Sequence, residues 1–317
     1  MNSQKPVVMK QTSIMRFTNS VALEPDTEIF DLFCGIGGFS CGAKQAGHRV
    51  VFACDSDPFL LNCHIRNNVD CEHWCCSLPR DDLPFPTSGR WHLHGSPPCT
   101  KLSIMQPLQY KTDQDNAIDL VAWFFSLVKE KKPTSWSFEQ VNHKAIRAQL
   151  ETLKAKHPLI FDWMVVDVVN FEVPQHRKRI IAATPSIIDH LRSFKSGKRK
   201  QCVLDVIPYP PRQFIKNSLY SRPHEKTRER VDVPLKDKIR SVDRPSYTIL
   251  ASGHKKWADE HGTVLRHLTG AEGALIQSFP ADYKLPWSKT RSLIGVGNAL
   301  PPQLAKVMMK PSAPESW

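Results

Sequence analysis

Apolar and polar positions alternate along this chain in two rhythms, one of period two and one close to four. Glu28 to Phe33 is apolar enough for a short buried strand, and Cys34-Gly35-Ile36-Gly37-Gly38 behind it turns the chain into a helical pattern over Phe39 to Gly47. His48 to Cys54, rich in Val and Phe, reads as a second strand, and Pro58 to Asn68 as a helix with proline in its first turn. The alternation continues with strands at Trp91 to His94, Ser135 to Glu139, Trp163 to Phe171 and Arg179 to Thr184, and with helices near Asn116 to Lys131 and His143 to Lys156. Such a succession predicts an α/β fold, a doubly wound sheet with helices on both faces.

The pattern also divides the chain. Residues 1–27 are polar and poorly patterned and read as a loose leader. Residues 28–184 carry the sheet. From Pro185 to Ser241 the periodicity fades, and between 190 and 240 there are 14 Lys or Arg against 5 Asp or Glu, which predicts a smaller, basic unit. Over 242–317 regular patterning returns, with Leu268 to Phe279 and a closing helix at Gln303 to Met309 that is expected to pack back on the first domain.

Composition adds three limits. With 317 residues, 41% of them hydrophobic, the chain can bury a full core. Its 43 Lys and Arg against 31 Asp and Glu leave a formal charge of +12, a surface potential that draws polyanions but by itself fits any basic soluble protein. Nine cysteines, an odd number, and no apolar core of signal-peptide length in Met1 to Ser20 argue for reduced thiols in cytoplasm or nucleus. The longest apolar stretch, Leu120 to Val128, is about half of the ~20 residues a membrane helix needs, so no membrane partner is expected.

Four motifs stand at predicted strand ends. The turn Asp31-Leu32-Phe33-Cys34-Gly35-Ile36-Gly37-Gly38 lets backbone amides approach a ligand, and Asp55, ending the second strand, suits ribose hydroxyls. Nicotinamide, flavin and S-adenosylmethionine proteins share such a turn, and a ligand-free tight turn uses the same residues, but the glycine spacing misses the dinucleotide fingerprint. In Gly95-Ser96-Pro97-Pro98-Cys99-Thr100-Lys101-Leu102-Ser103 two prolines hold Cys99 in an extended path after a strand. A cysteine is more often a small buried hydrophobe; the diproline loop shifts Cys99 toward a nucleophile, reactive as thiolate. Ser137-Phe138-Glu139-Gln140-Val141 brings a carboxylate, and Val173-Pro174-Gln175-His176-Arg177-Lys178-Arg179 a basic cluster. Taken singly, Glu139 is a helix cap and the arginines solvated charges.

Taken in order, these pieces resemble the DNA (cytosine-5) methyltransferase family over nearly the whole chain. The match comprises the DLFCGIGG turn, the SPPC loop, Phe138-Glu139-Gln140-Val141 where the family has Glu-Asn-Val, the QHRKR cluster, Arg244-Pro245-Ser246-Tyr247-Thr248, and Gly295-Val296-Gly297-Asn298-Ala299-Leu300-Pro301-Pro302. The resemblance implies a Rossmann-like class I methyltransferase sheet with a smaller, basic target-recognition domain in 185–241. It implies S-adenosyl-L-methionine as cofactor, double-stranded DNA as partner, and a monomer of bacterial or viral type in the cytoplasm, or in the nucleus of a eukaryotic host. Cys99 then matches the nucleophile that adds to carbon 6 of a flipped-out cytosine. Glu139 matches the acid at N3, and Arg177 with Arg179 the cations near O2. Phe33, Gly35 and Gly37 surround the methionine portion, Asp55 holds the ribose, Pro98 lies near the adenosine, and Asn298 closes the site. DNA contacts are implied for Gln175, Arg177, Arg179 and Ser103. No metal is required.

The chain departs from the family at three places. Gln140 replaces the usual Asn, which changes hydrogen bonding within its loop. No Asp stands among Cys75-Cys76-Ser77-Leu78 to meet the adenine amino group, which leaves either a weaker hold on the cofactor or Ser77 as the substitute acceptor. Ser56 is small where a large residue covers adenine. Cys63, His64, Cys71, His73, Cys75 and Cys76 invite a zinc reading, but the paired C-x2-C spacing of structural sites is missing. Two other functions use the same motifs: an RNA cytosine-5 methyltransferase of the tRNA-modifying branch, whose Cys-Phe-Thr signature is absent here, and a catalytically silent DNA-binding relative.

Overall fold

In the first strand, Glu28–Leu32 (β1), Ile29 and Asp31 face one side of a sheet while Phe30 and Leu32 face the other, and all four are buried. A strand buried on both faces belongs inside a covered sheet. The computed structural model describes residues 26–98, 111–217, 221–223, 230–232, 238–253 and 255–310. Around β1 it assembles Arg49–Asp55 (β2), Glu72–Cys75 (β3), Trp91–Gly95 (β4), Ser135–Val141 (β5), Asp162–Asp167 (β6) and Lys178–Ala183 (β7). Their order is β3-β2-β1-β4-β5-β7-β6; β7 runs antiparallel to both of its neighbours, and the other pairings are parallel.

Helices cover both faces. Gly38–Gln45 (α1), Pro185–Ser193 (α5) and Pro302–Met309 (α8) lie on the side of Ile29, Val50 and Ile181. Lys111–Lys131 (α3) and Lys144–Lys156 (α4) put Val121, Phe124, Ile146 and Leu150 against Leu32, Leu93, Trp136 and Phe138 on the other. The Asp57 carboxylate accepts the amides of Phe59 and Leu60 and so starts Pro58–Asn67 (α2) behind its first-turn proline.

Two expected boundaries move. The strand expected through Phe171 ends at Asp167 and continues as a 3-10 turn over Val168–Phe171, with Glu172 left-handed at φ 61°. A short apolar run cannot reveal its own period; here the Asp167 carboxylate takes the Arg177 amide at 2.9 Å and bends the chain. The basic unit expected over 185–241 begins later, because Ile187, Ile188 and Leu191 of α5 are buried on the large sheet. Its own sheet also crosses residue 241: Phe214–Asn217 (β8), Ile239–Ser241 (β11), Lys255–Ala258 (β12) and Val264–His267 (β13) pair in the order β11-β8-β12-β13, and Ser221–Pro223 (β9) pairs Arg230–Asp232 (β10). A third core holds this region to α2, Gly270–Ile276 (α6) and Lys289–Asn298 (α7) through Leu60, Ile215, Ile249, Trp257, Ile276 and Val296.

The last helix, α8, packs directly on α1 through small residues. A Cβ on Gly42 would lie 2.2 Å from the Pro302 carbonyl and 2.7 Å from the Lys306 amide, backbone that cannot step aside. Gly42→Ala is therefore expected to destabilise the chain by about 1–3 kcal/mol through overpacking. A denaturant midpoint equal to the parent's would show that the two helices separate freely.

Candidate active site

The carboxyl ends of β1, β2, β4 and β5 open on one edge of the large sheet, where open α/β folds gather their ligands. The start of antiparallel β7 reaches the same edge, and so does the end of α7. Between them lies a cavity of about 300 Å³ lined by the β1 turn, Asp55 and Ser56, Cys76 to Leu78, Ser96 to Pro98, Glu139 to Val141, Arg177, Arg179, Gly295 and the segment from Gly297 to Leu300.

The turn after β1 is built for close approach. Phe33 and Gly35 are left-handed, at φ 58° and 53°, and a Cβ on Gly35 would meet nothing within 4 Å, so backbone freedom rather than space asks for glycine there. The Gly35 amide donates to Asp55 Oδ2 at 2.8 Å and the Asp57 amide to Asp55 Oδ1 at 2.8 Å. Burial pushes the Asp55 carboxyl up, against those amide hydrogen bonds. Phe33, Gly35, Asp55, Pro98 and Asn298 line the cavity, as does Ser77 where no Asp stands. Gly37 is not among the lining residues: at φ 91° it lies against His64 and Tyr283, whose atoms a Cβ would meet at 2.8 Å. A cavity with apolar walls at Phe33, Leu60, Leu78 and Pro98 and with Asp31, Asp55 and Asn298 among its polar groups fits an amino-acid nucleoside such as S-adenosylmethionine.

At the other end of the cavity Glu139 and Arg179 form a buried ion pair, Nε to Oε1 at 2.8 Å. Burial pushes the Glu139 carboxyl up, while Arg179 and then Arg177 pull it back. Gln140 supplies the loop hydrogen bonding that its replacement of Asn had left open: its Nε2 donates to the Pro97 carbonyl at 3.0 Å and its Oε1 accepts the Val141 amide at 2.8 Å. It thus ties the carboxylate strand to the diproline loop. Cys99 and Ser103 lie outside the described residues, Cys99 following Pro98 directly in the chain.

The basic cluster divides its labour. Arg177 is 1% exposed, and its guanidinium donates to the carbonyls of Ile249 at 3.0 Å, Gly297 at 2.9 Å and Ala299 at 3.2 Å. It lines the cavity near Glu139 and also fastens the basic unit and the C-terminal segment to the site. Gln175, expected to touch DNA, is fully buried: it donates to the Ile276 carbonyl and to Gln277, and accepts the Ile249 amide. Both side chains bond protein partners where the chain crosses between two cores.

Pattern reading missed a polar ladder beneath the diproline loop. His92 bridges Ser135 at 2.8 Å and Ser137 at 2.9 Å, and His94 bridges Ser137 and Ser96, both at 2.8 Å. Phe39 stacks on His94 at 3.6 Å, and burial holds both imidazoles neutral, His92 near 3. The signal was present as two period-two pairs, His92 with His94 and Ser135 with Ser137, on strands that pair with each other. Of the residues that invited a zinc reading, His64 and His73 bond each other and Cys63 donates to the Lys284 carbonyl.

Sheet order and site together define a Rossmann-like methyltransferase fold. Solved structures share it: a prophage-encoded E. coli protein described as a DNA modification methyltransferase aligns with a TM-score of 0.63 at 18% identity, over 90% of this chain and 97% of that one. The model of the C-5 cytosine-specific DNA methylase family matches residues 27–312, and the chain belongs to that family. The Type II methyltransferase M.HgiDI of Herpetosiphon aurantiacus is 27% identical over 301 residues, 87% of this chain and 90% of the relative. Type II methyltransferase M.AgeI of Thalassovita gelatinovora is 28% identical over 195 residues, 56% of this chain and 45% of the relative. The chain therefore spans less than half the length of the latter.

Proposed function

We propose that the chain is a DNA (cytosine-5) methyltransferase that works on a cytosine rotated out of duplex DNA within one short sequence context. The observation that carries this reading is the buried Glu139–Arg179 pair, 2.8 Å apart, in the cavity that also holds the Asp55-anchored glycine turn. Phe33, Gly35, Asp55, Pro98 and Asn298 would hold S-adenosylmethionine, and this group supplies an electrophilic methyl when bound.

Carbon 5 of cytosine is a weak nucleophile while the ring is aromatic. The Cys99 thiolate adds to carbon 6, and electron density moves to carbon 5 and toward N3 and O2. Glu139, its carboxyl raised by burial, holds a proton at N3, and the Arg179 guanidinium faces the charge growing at O2. After methylation, loss of the carbon-5 proton restores the ring double bond and expels Cys99. Ser96 and Pro97, pinned by His94 and Gln140, hold the start of the loop that carries Cys99. Rotating the base out costs a few kcal/mol, which Lys and Arg contacts to phosphate offset; we assign these contacts and the sequence choice to the basic unit that follows α5. One chain carries every group named, so we also propose that it acts as a monomer.

The test is transfer of labelled methyl to unmethylated duplex DNA, with tRNA and Cys99→Ala run alongside and bisulfite sequencing of the product. Methylation of cytosines in one context, absent in the variant, is the expected result. Transfer to tRNA alone would reassign the substrate, and DNA binding with no transfer would make the chain a silent relative.

A further inference from the structure

Asp31 lines the cofactor cavity yet is 1% exposed, with its side chain on the α1 face of β1. Its Oδ2 accepts the Ser40 hydroxyl at 2.6 Å. Ser40 Oγ lies 2.9 Å from His64 Nε2, and His64 Nδ1 lies 2.8 Å from His73 Nε2. Ser40 and His64 are fully buried; His73, on β3, is half-buried. The four side chains form one continuous line from the cavity toward solvent, and the proposed methyl transfer makes no use of them. We infer that Asp31, Ser40, His64 and His73 form a proton path through which the site takes up its cationic methyl donor in exchange for a proton, and so prefers the donor over its uncharged thioether product.

This inference rests on the reading of the cavity as an S-adenosylmethionine site. The donor carries an ammonium, a carboxylate and a sulfonium, net +1; the product has lost the sulfonium charge and is net neutral. A carboxylate at Asp31 attracts the first more than the second, whereas a neutral carboxyl discriminates far less.

Counting protons shows how the line conducts. With Asp31 charged, Ser40 donates to Asp31, His64 Nε2–H donates to Ser40, and His73 Nε2–H donates to His64 Nδ1. With Asp31 protonated at Oδ2 every contact reverses: Asp31 donates to Ser40, Ser40 to His64 Nε2, and His64 Nδ1–H to His73 Nε2. Passing from the second state to the first moves one proton along each contact, leaves His73 holding two, and lets His73 give one to water. The one charge left inside is the Asp31 carboxylate, which faces the incoming cation. Asn68 Nδ2, 3.4 Å from His64 Nδ1, biases the line toward the charged-Asp31 state.

The groups around Asp31 let it titrate in the physiological range. Burial pushes its carboxyl up to about 7, opposed by the Ser40 hydroxyl and amide and reinforced by Asp55 on β2. Cys34, Cys54, Cys71 and Tyr283, which also feel Asp31, are themselves held neutral by burial. Lys44 acts on His64, which burial lowers to about 3 and keeps neutral. Across the cavity, Arg177 is committed to carbonyls and Arg179 to Glu139. Near pH 7 the free protein therefore holds a proton on Asp31 part of the time, and a cation settling nearby drives it off.

Titration calorimetry of the full chain at about pH 6.5, in buffers of differing ionisation enthalpy, reads this directly. S-adenosylmethionine should release a sizeable fraction of one proton on binding, and S-adenosylhomocysteine close to none. The affinity ratio of donor to product should fall as pH drops below about 7, approaching tenfold per pH unit, and stay level above it. Asp31→Asn should bind both ligands with no proton release. Nitrogen-15 spectra of the unmutated protein give a second reading: the His64 proton moves from Nε2 to Nδ1 as pH falls through Asp31, and returns when donor is added. Equal proton release for donor and product, or a His64 tautomer indifferent to pH and donor, would sink the proton path and leave the methyltransferase reading standing. Binding of neither ligand would instead overturn the cofactor reading.

Discussion

Arg177→Ala is expected to lower stability by about 3–5 kcal/mol, because it strips donors from buried carbonyls on two distant segments and leaves a cavity where a large side chain was. Those carbonyls, at Ile249, Gly297 and Ala299, belong to the turn ahead of β12 and to the end of α7. With total stabilities of 5–15 kcal/mol typical of folded chains, that loss is a large share, and it should move the thermal midpoint by on the order of 10 °C. Circular dichroism melts of parent and variant decide the matter. A midpoint unchanged within a degree or two, with turnover alone lost, would return Arg177 to the role of a cation beside the base and undo its assignment as an architectural clamp. Arg177→Lys is no rescue, since one ammonium cannot reproduce a planar fork aimed at carbonyls on two segments.

Glu139→Gln should act chiefly on the chemistry, costing about 10²–10⁴-fold in the single-turnover rate of methylation, with a smaller loss in folding because the buried Arg179 charge loses its partner. Gln keeps the shape of Glu139 but can neither hold nor share a proton at N3. The stability difference should also depend on pH with a definite sign. Burial raises the Glu139 carboxyl above its unfolded value, so its favourable contribution is complete at acid pH and fades as pH rises through the folded value. Gln does not titrate, so the variant should gain on the parent as pH climbs above the ordinary carboxylate range. Calorimetric melts from about pH 5 to 9 would show it. A difference that runs the other way would mean that Arg179 holds Glu139 below its ordinary value, and the proton at N3 would need another donor.

What could be read from residue order alone was what neighbouring residues determine. The glycine turn between β1 and α1 was legible because a strand, three glycines and a helical pattern follow one another within twenty residues. Glu139 and Arg179 were singled out through motif resemblance, and the structure places them 2.8 Å apart. The hydrogen-bond partners of Arg177 and Gln175 were not legible, because they lie 72 to 122 residues away along the chain, on elements whose positions only the finished fold decides. The same holds for Gly37, whose neighbour Tyr283 is 246 residues distant. The helix α5 was missed for a different reason: Pro185 and the charges after it looked like the start of the basic stretch, and three apolar positions at Ile187, Ile188 and Leu191 are a weak signal in so short a segment.

The packing of α1 on α8 also sets a timetable for synthesis. A ribosome adding about 5–20 residues each second needs on the order of 15–50 s to travel from the end of α1 to the start of α8. For that interval the nascent chain carries the small-residue face of α1 without its partner helix, and Asn298, which lines the cavity, has only just been made at its end. Half-made chains are therefore adhesive. Yield on expression should depend on growth temperature and chaperone supply more than the melting point of the finished protein would suggest.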